Sequence, residues 1–314
     1  MASARPETSV ALIDPAQYTS HALHRSDRIW AETNCYADLW IEMLHARGLD
    51  PLGMLAFTLR IDFEGDQWTF FKPEPTTLRR LYGVEVEELN IWQDHRTQTR
   101  EQLERGRWVM PEVDAYFLPD TAATDYRRQH KKTTIGIFHL DEQRCDYFHN
   151  AGCFTVSGDD LHGLFEAREL PLYSEFVKFD SSVRRDDADL RERSRVTFED
   201  TLLWLPRHNP VRAFAERLVG DGVTERGLEH WNGYAFSTLR QCGSAFELAG
   251  DYLRWLDSDL NAASDACHEI AIGAKALILK GARAANRAQA FDATDAFAKM
   301  ADAWDLVVER LRAG

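Results

Sequence analysis

The chain has 314 residues, a formal net charge of −14, 44% hydrophobic residues and 28% charged residues. That is the composition of an ordinary globular protein, long enough for two domains. The acidic balance argues against a non-specific grip on nucleic acid or on an anionic membrane, which both need basic surface, and no run approaches the 18 apolar residues of a membrane span.

The start, Met1-Ala2-Ser3-Ala4-Arg5-Pro6-Glu7, lacks the basic-then-apolar pattern of a secretion signal. The five cysteines, at 35, 145, 153, 242 and 267, form no CxxC pair and no zinc spacing. Free thiols in a reducing cytoplasm are expected, with no metal. Residues 1 to about 30 read as an irregular lead-in. From Tyr36 the apolar residues fall at 36, 39, 40, 43 and 44, one face of a helix over 35–47. Thr33 and Asn34 are N-cap residues, and Gly48 with Pro51 ends the helix. Residues 55–63 fit a strand or a short helix, Trp68 to Phe71 an extended segment, and 76–82 and 94–105 short helices. Val109 to Phe117 reads as a strand, with Pro111 suggesting an edge or the strand's start. Two further strands flank a turn at Asp141-Glu142-Gln143, and Phe154-Thr155-Val156 extends the sheet, so 109–156 is predicted as an antiparallel meander. Beyond the charged stretch Arg184 to Asp189, residues 210–220, 224–257, 260–288 and 292–312 are helical by period and propensity.

Cys35 is the most informative residue. In the first turn of a helix, unpaired N–H groups and the dipole favour a thiolate. Papain-type enzymes place their nucleophile there. A thiolate needs a base and a group that orients the base. His130, just before a strand, is the candidate base. Asn150 or His149, at the end of the neighbouring strand, supplies the third member, with Asp114 in reserve. If the hairpin turn centres on 142–143, His130 lies opposite about residue 154, and Asn150 is offset by roughly 13 Å. The oxyanion hole would rely on the Cys35 N–H with Asn34 or Thr33. Asp62, Glu64 and Asp66 alternate on an extended segment and could hold a substrate ammonium or a hard metal ion, although they lack the rest of a calcium loop. Arg240, beside Cys242, could reach the cleft from the second half. Trp231, Tyr234, Tyr252 and Trp255 read as core, and Cys242 and Cys267 as structural thiols.

Asn34-Cys35-Tyr36 leading a helix, Val113-Asp114-Ala115-Tyr116-Phe117-Leu118-Pro119, and His130 before an apolar strand resemble the butirosin-biosynthesis acyltransferase family. Asp38 to Glu42, Asp62 to Lys72, Tyr147 to Gly152 and Ser237 to Gly243 resemble domain-of-unknown-function family 1839 over nearly the whole chain. These resemblances imply an α+β fold: a papain-like catalytic domain over 1–185, its first 20–30 residues irregular, and an all-α helical domain over 186–314. They imply an acyltransferase that moves an acyl or aminoacyl group from a carrier-protein thioester, through a Cys35 acyl-enzyme with His130 as base, to an amine or hydroxyl acceptor. No cofactor is expected beyond the partner's phosphopantetheine arm. Tyr116 joins Arg240 and the acidic run as a substrate contact. Arg127, Arg128, Lys131 and Lys132 form the expected carrier dock. A cysteine hydrolase of the same fold and a non-catalytic carrier-binding module are the alternatives.

Overall fold

The computed structural model describes residues 13–166, 170–220, 222–287, 289 and 291–313. The first twelve residues of the expected lead-in therefore fall outside them. The chain is α+β and 57% helical, with an antiparallel sheet in the N-terminal part and a helical C-terminal region.

Helix α1 (Cys35–Ala46) starts where expected because Asn34, in an extended conformation, accepts hydrogen bonds from the amides of Tyr36 and Ala37. Gly48, at φ +67°, lets the chain turn away after it. Leu39, Trp40, Ile41, Met43 and Leu44 are completely buried. Residues 51–60 form a 3-10 helix, started by Asp50 accepting from the Leu52 amide and by Pro51 in the first turn. A bridge between Phe63 and Trp68 then closes a small hairpin around Gly65. Helices α2 (Pro75–Tyr82) and α3 (His95–Glu104) follow, with strand β1 (Glu85–Glu88) between them.

The described residues form a seven-stranded sheet. The strands are β2 (Trp108–Asp114), β3 (Lys132–Thr134), β4 (Gly136–Leu140), β5 (Arg144–His149), β6 (Gly152–Ser157) and β7 (Ser174–Lys178), in the order β1-β7-β2-β4-β5-β6, with β3 also on β2. Strands β2, β4, β5 and β6 run as the expected antiparallel meander, while β7, which with helix α4 (Gly158–Glu166) was not foreseen from sequence, adds to the sheet between β1 and β2. Strand β2 is central rather than an edge. Pro111 is tolerated there because its missing N–H falls at the break between β3 and β4, where its carbonyl accepts from the Ile135 amide. The expected hairpin register holds along β4 and β5, but the segment before them is not part of it. Gly136 pairs with Phe148, but β3 leaves that ladder and pairs with β2: Glu112 with Thr134, Val113 with Thr133, Asp114 with Lys132. His130 thus approaches Asp114 rather than the β5–β6 turn.

The C-terminal region comprises α5 (Asp187–Leu202), α6 (Pro210–Gly220), α7 (Leu228–Ser237), α8 (Leu239–Leu256), α9 (Asn261–Asn286) and α10 (Thr294–Ala313). One hydrophobic core runs without a break from α1 and one face of the sheet into these helices; it includes Trp40, Trp68, Trp108, Phe148, Phe214, Trp231, Phe246 and Tyr252. A smaller core, with Val113, Ile135, Ile137, Cys145, Tyr147 and Leu161, fills the other face of the sheet under α4.

Candidate active site

Cys35 opens α1 and is partly exposed; the other four thiols are buried. Burial pushes Cys145, Cys242 and Cys267 well up, and burial followed by the charges of Asp146 and Glu42 pushes Cys153 up to about 12. The Asn34 cap takes the amides of Tyr36 and Ala37, and the Asn34 carbonyl takes that of Asp38. The first-turn amide that Asn34 does not cap is that of Cys35 itself.

His130 stands in the loop before β3. Its Nδ1 meets Asp114 Oδ2 at 2.5 Å, and its ring stacks on Tyr116 with centroids 4.4 Å apart and 15° between planes. Asp114 ends β2 and is 6% exposed. Its other oxygen accepts from the amides of Tyr116 and Lys131. A carboxylate held this way orients the imidazole, with Nδ1–H toward Asp114. The reserve candidate, Asp114, is thus the group that orients His130.

Asn150 and His149 do other work. Asn150, at φ +45°, forms the turn between the paired residues His149 and Gly152. His149 is buried, with Nδ1 2.5 Å from Asp120 Oδ2 and Nε2 accepting from the Thr133 hydroxyl at 2.8 Å. Asp120 also accepts from the Tyr147 hydroxyl at 2.5 Å. This chain ties β5 to β3 and to the turn at Pro119–Thr121.

The proposed oxyanion donors are likewise engaged. The Thr33 amide and hydroxyl both donate to Asp38, at 2.7 and 2.5 Å, and the Asn34 side-chain amide donates to the Phe71 carbonyl at 2.9 Å. In the acidic run, Asp62 pairs with His208 at 3.2 Å and Glu64 accepts from Thr69 at 3.0 Å; Asp66 is exposed. Nothing in these contacts leads to Cys35. Of the basic cluster, Arg127 pairs with Asp160 and lies over the rings of Tyr116, Phe117 and Tyr126, while Lys132 pairs with Glu112 at 2.6 Å. Arg128 donates to the Ala123 carbonyl.

Arg240 is on the Cys35 side of the molecule. The lead-in runs along α8 in steps. Glu247 accepts from the amides of Ile29 and Trp30, at 3.1 and 2.9 Å. The Trp30 ring lies on Gly243, so close that a Cβ there would sit 2.6 Å from it. One turn further along α8, Arg240 feels the charges of Asp38, Glu32 and Cys35; burial, the larger effect, lowers its pKa. Its guanidinium lies 4.7 Å from the centre of the Phe236 ring, and the Lys131 ammonium lies 4.7 Å from the same ring. Lys131 follows His130 directly, so Phe236 links the loop carrying His130 to the start of α8. On the other rim, the Tyr36 hydroxyl donates to Glu175 at 2.7 Å and Lys72 lies over the Tyr36 ring.

Beneath α1 lies a cluster that the sequence reading missed. His24 sits between Asp38, at 3.3 Å, and Glu42, and all three side chains are fully buried. Burial alone would lower the His24 pKa, but the hydrogen bonds and charges of Asp38 and Glu42 outweigh it and raise it to about 9. Glu42 also accepts from the Tyr18 hydroxyl and the His21 amide. The available signal was two acids, at i and i+4, on the buried face of a helix, a pattern that calls for a buried cation.

No group of acids, histidines and cysteines able to hold a metal ion occurs among the described residues, and none of their helices is long and apolar enough to cross a membrane. No curated protein matches the chain. The family model described as the DUF1839 N-terminal domain matches residues 19–185, and that of the DUF1839 C-terminal domain matches residues 187–313. Between them these matches take in both the sheet and the helical region, and the chain belongs to the DUF1839 family.

Proposed function

We propose that this protein is an acyltransferase with a papain-like arrangement, in which Cys35 is the nucleophile, His130 the base and Asp114 the group that orients the base. The observation that carries the reading is the His130–Asp114 pair, together with the one partly exposed thiol, which stands at a helix N-terminus. The Cys35 thiolate attacks the carbonyl carbon of a thioester on a carrier protein's pantetheine arm. The developing oxyanion is met by the Cys35 amide. The carrier thiolate leaves and takes a proton from His130 Nε2. An amine or hydroxyl acceptor then attacks the acyl-enzyme, His130 accepts its proton, and the Cys35 thiolate is released. A thioester is already an activated donor, so this chemistry asks less of the oxyanion hole than amide cleavage would.

Intact-mass measurement after mixing with acyl-loaded carrier proteins tests this. The expected result is a gain equal to the acyl group, absent from Cys35→Ala and discharged by added amine. Discharge in water alone at the same rate would make the protein a hydrolase. No gain from any carrier-bound or pantetheine thioester would sink the acyl-transfer reading.

A further inference from the structure

Two cations converge on one aromatic ring, and one of them, Arg240, feels the charge of Cys35. Arg240 and Lys131 come from opposite halves of the chain and lie 4.7 Å from the centre of the half-exposed Phe236 ring. Neither makes an ion pair with a carboxylate among the described residues. The two acids nearest Arg240 in charge do not neutralise it. Asp38 is held by Thr33 and His24, and Glu32 is exposed at the surface. On a chain with a net charge of −14, most other basic side chains around the sheet are already paired, Lys132 with Glu112 and Arg127 with Asp160 among them. Arg240 is also partly withdrawn from water, where a guanidinium gains most from a planar anion that accepts two hydrogen bonds.

We propose that Arg240, Lys131 and Phe236 form an anion subsite beside Cys35 that takes the free carboxylate of an acidic acyl group. The carboxylate assignment rests on the acyl-transfer reading; the subsite itself does not. The phosphate of a pantetheine arm is separated from the thioester sulfur by the whole length of that arm. An anion held this close to Cys35 therefore belongs to the acyl portion. The guanidinium receives the carboxylate edge-on, Lys131 supplies a second charge at the same ring, and the Phe236 ring covers the methylene stem.

The first test needs no acyl transfer. The rates at which iodoacetate and iodoacetamide alkylate Cys35 are compared, with N-acetylcysteine at the same pH and salt as reference. The ratio of iodoacetate to iodoacetamide rates should exceed the reference. It should fall about tenfold in Arg240→Gln, the scale of one lost charge-assisted hydrogen bond, and should also fall in Lys131→Gln, an exposed position that gives an answer if Arg240→Gln fails to fold. A ratio no higher than the reference, or unchanged in the variants, overturns the subsite. So does an equal slowing of both reagents, which would mean that Arg240 acts on the thiol itself. The second test compares pantetheine thioesters of a dicarboxylic acid and of its amide-ended analogue, each with and without the 4′-phosphate. The acid should acylate Cys35 faster whether or not the phosphate is present. Equal rates for the two acyl groups, or a preference that needs the phosphate, overturns the carboxylate assignment. Failure of every thioester alongside a raised alkylation ratio removes acyl transfer and leaves the anion subsite standing.

Discussion

A cysteine reacts as its thiolate, so exposure and local field decide which of the five thiols is chemically available. Cys35 should therefore be labelled first in brief alkylation at neutral pH, ahead of Cys145, Cys153, Cys242 and Cys267, and peptide mapping reads the order directly. Asp114→Asn should leave the fold intact but lower the rate of Cys35 acylation about 10²–10⁴-fold, the usual worth of a correctly held base; near-normal single turnovers would move the base away from His130. His24 gives a prediction in pH. Its pKa is raised from 6.5 to about 9 in the folded protein. The stability it contributes, about 3 kcal/mol, is fully present below pH 6.5, declines between pH 6.5 and 9, and is lost above. Urea unfolding of the wild type and of His24→Gln should give curves that differ most near pH 6 and converge above pH 9; a constant difference would show that His24 acts through packing alone. At this scale the sequence was partly legible. Cys35 and its cap could be read because both lie within one helical turn. The Asp114–His130 contact depends on which strand β3 joins, and local pattern does not encode that choice. Asn150 and Thr33 are held otherwise than expected, Asn150 by the β5–β6 turn and Thr33 by the Asp38 carboxylate in the first turn of α1.

Among elements, the contact between the lead-in and α8 holds the segment that leads into α1. Trp30 is 5% exposed, donates from its indole to the Ala271 carbonyl at 3.3 Å, and lies on Gly243. A methyl group at 243 would displace a large ring that has nowhere to go. Gly243→Ala should cost about 1–3 kcal/mol, measured as a shift in urea midpoint, and should also alter the alkylation rate of Cys35, five residues from Trp30. A stability loss with the Cys35 rate untouched would show that α1 is positioned independently of α8. The helices were the readable elements, since a 3.6-residue period and capping residues are local signals; α1, α2, α3, α6, α9 and α10 lie close to their expected bounds. The sheet was less readable. β3 and β4 look like one strand in sequence, and Pro111 looks like an edge residue until the broken ladder opposite it is known. Strand β7 inserts between β1 and β2 from over sixty residues away, and no pairing signal in either segment announces it.

At the scale of the molecule, the change from strand to helix patterns near residue 186 marks a boundary between family domains but not between cores. Ser194 donates to the Gly53 carbonyl and bonds the Tyr252 hydroxyl, and Arg28 pairs with Asp251 at 2.6 Å. Chemical unfolding should therefore follow one cooperative transition by both tryptophan fluorescence and far-ultraviolet circular dichroism, and residues 1–185 expressed alone should fail to give a native-like spectrum. Two resolved transitions would mean that the halves fold separately. The lead-in's attachment to α8 has a further consequence, for the order in which the chain is made. More than two hundred residues separate Trp30 from Glu247. A ribosome delivers Cys35 long before it delivers the helix that holds the preceding segment, and N-terminal units ordinarily fold first during synthesis. On a nascent chain, or on one cut short before α8, the thiol exists without its setting. The segment that leads into Cys35 is thus anchored only once α8 has been made.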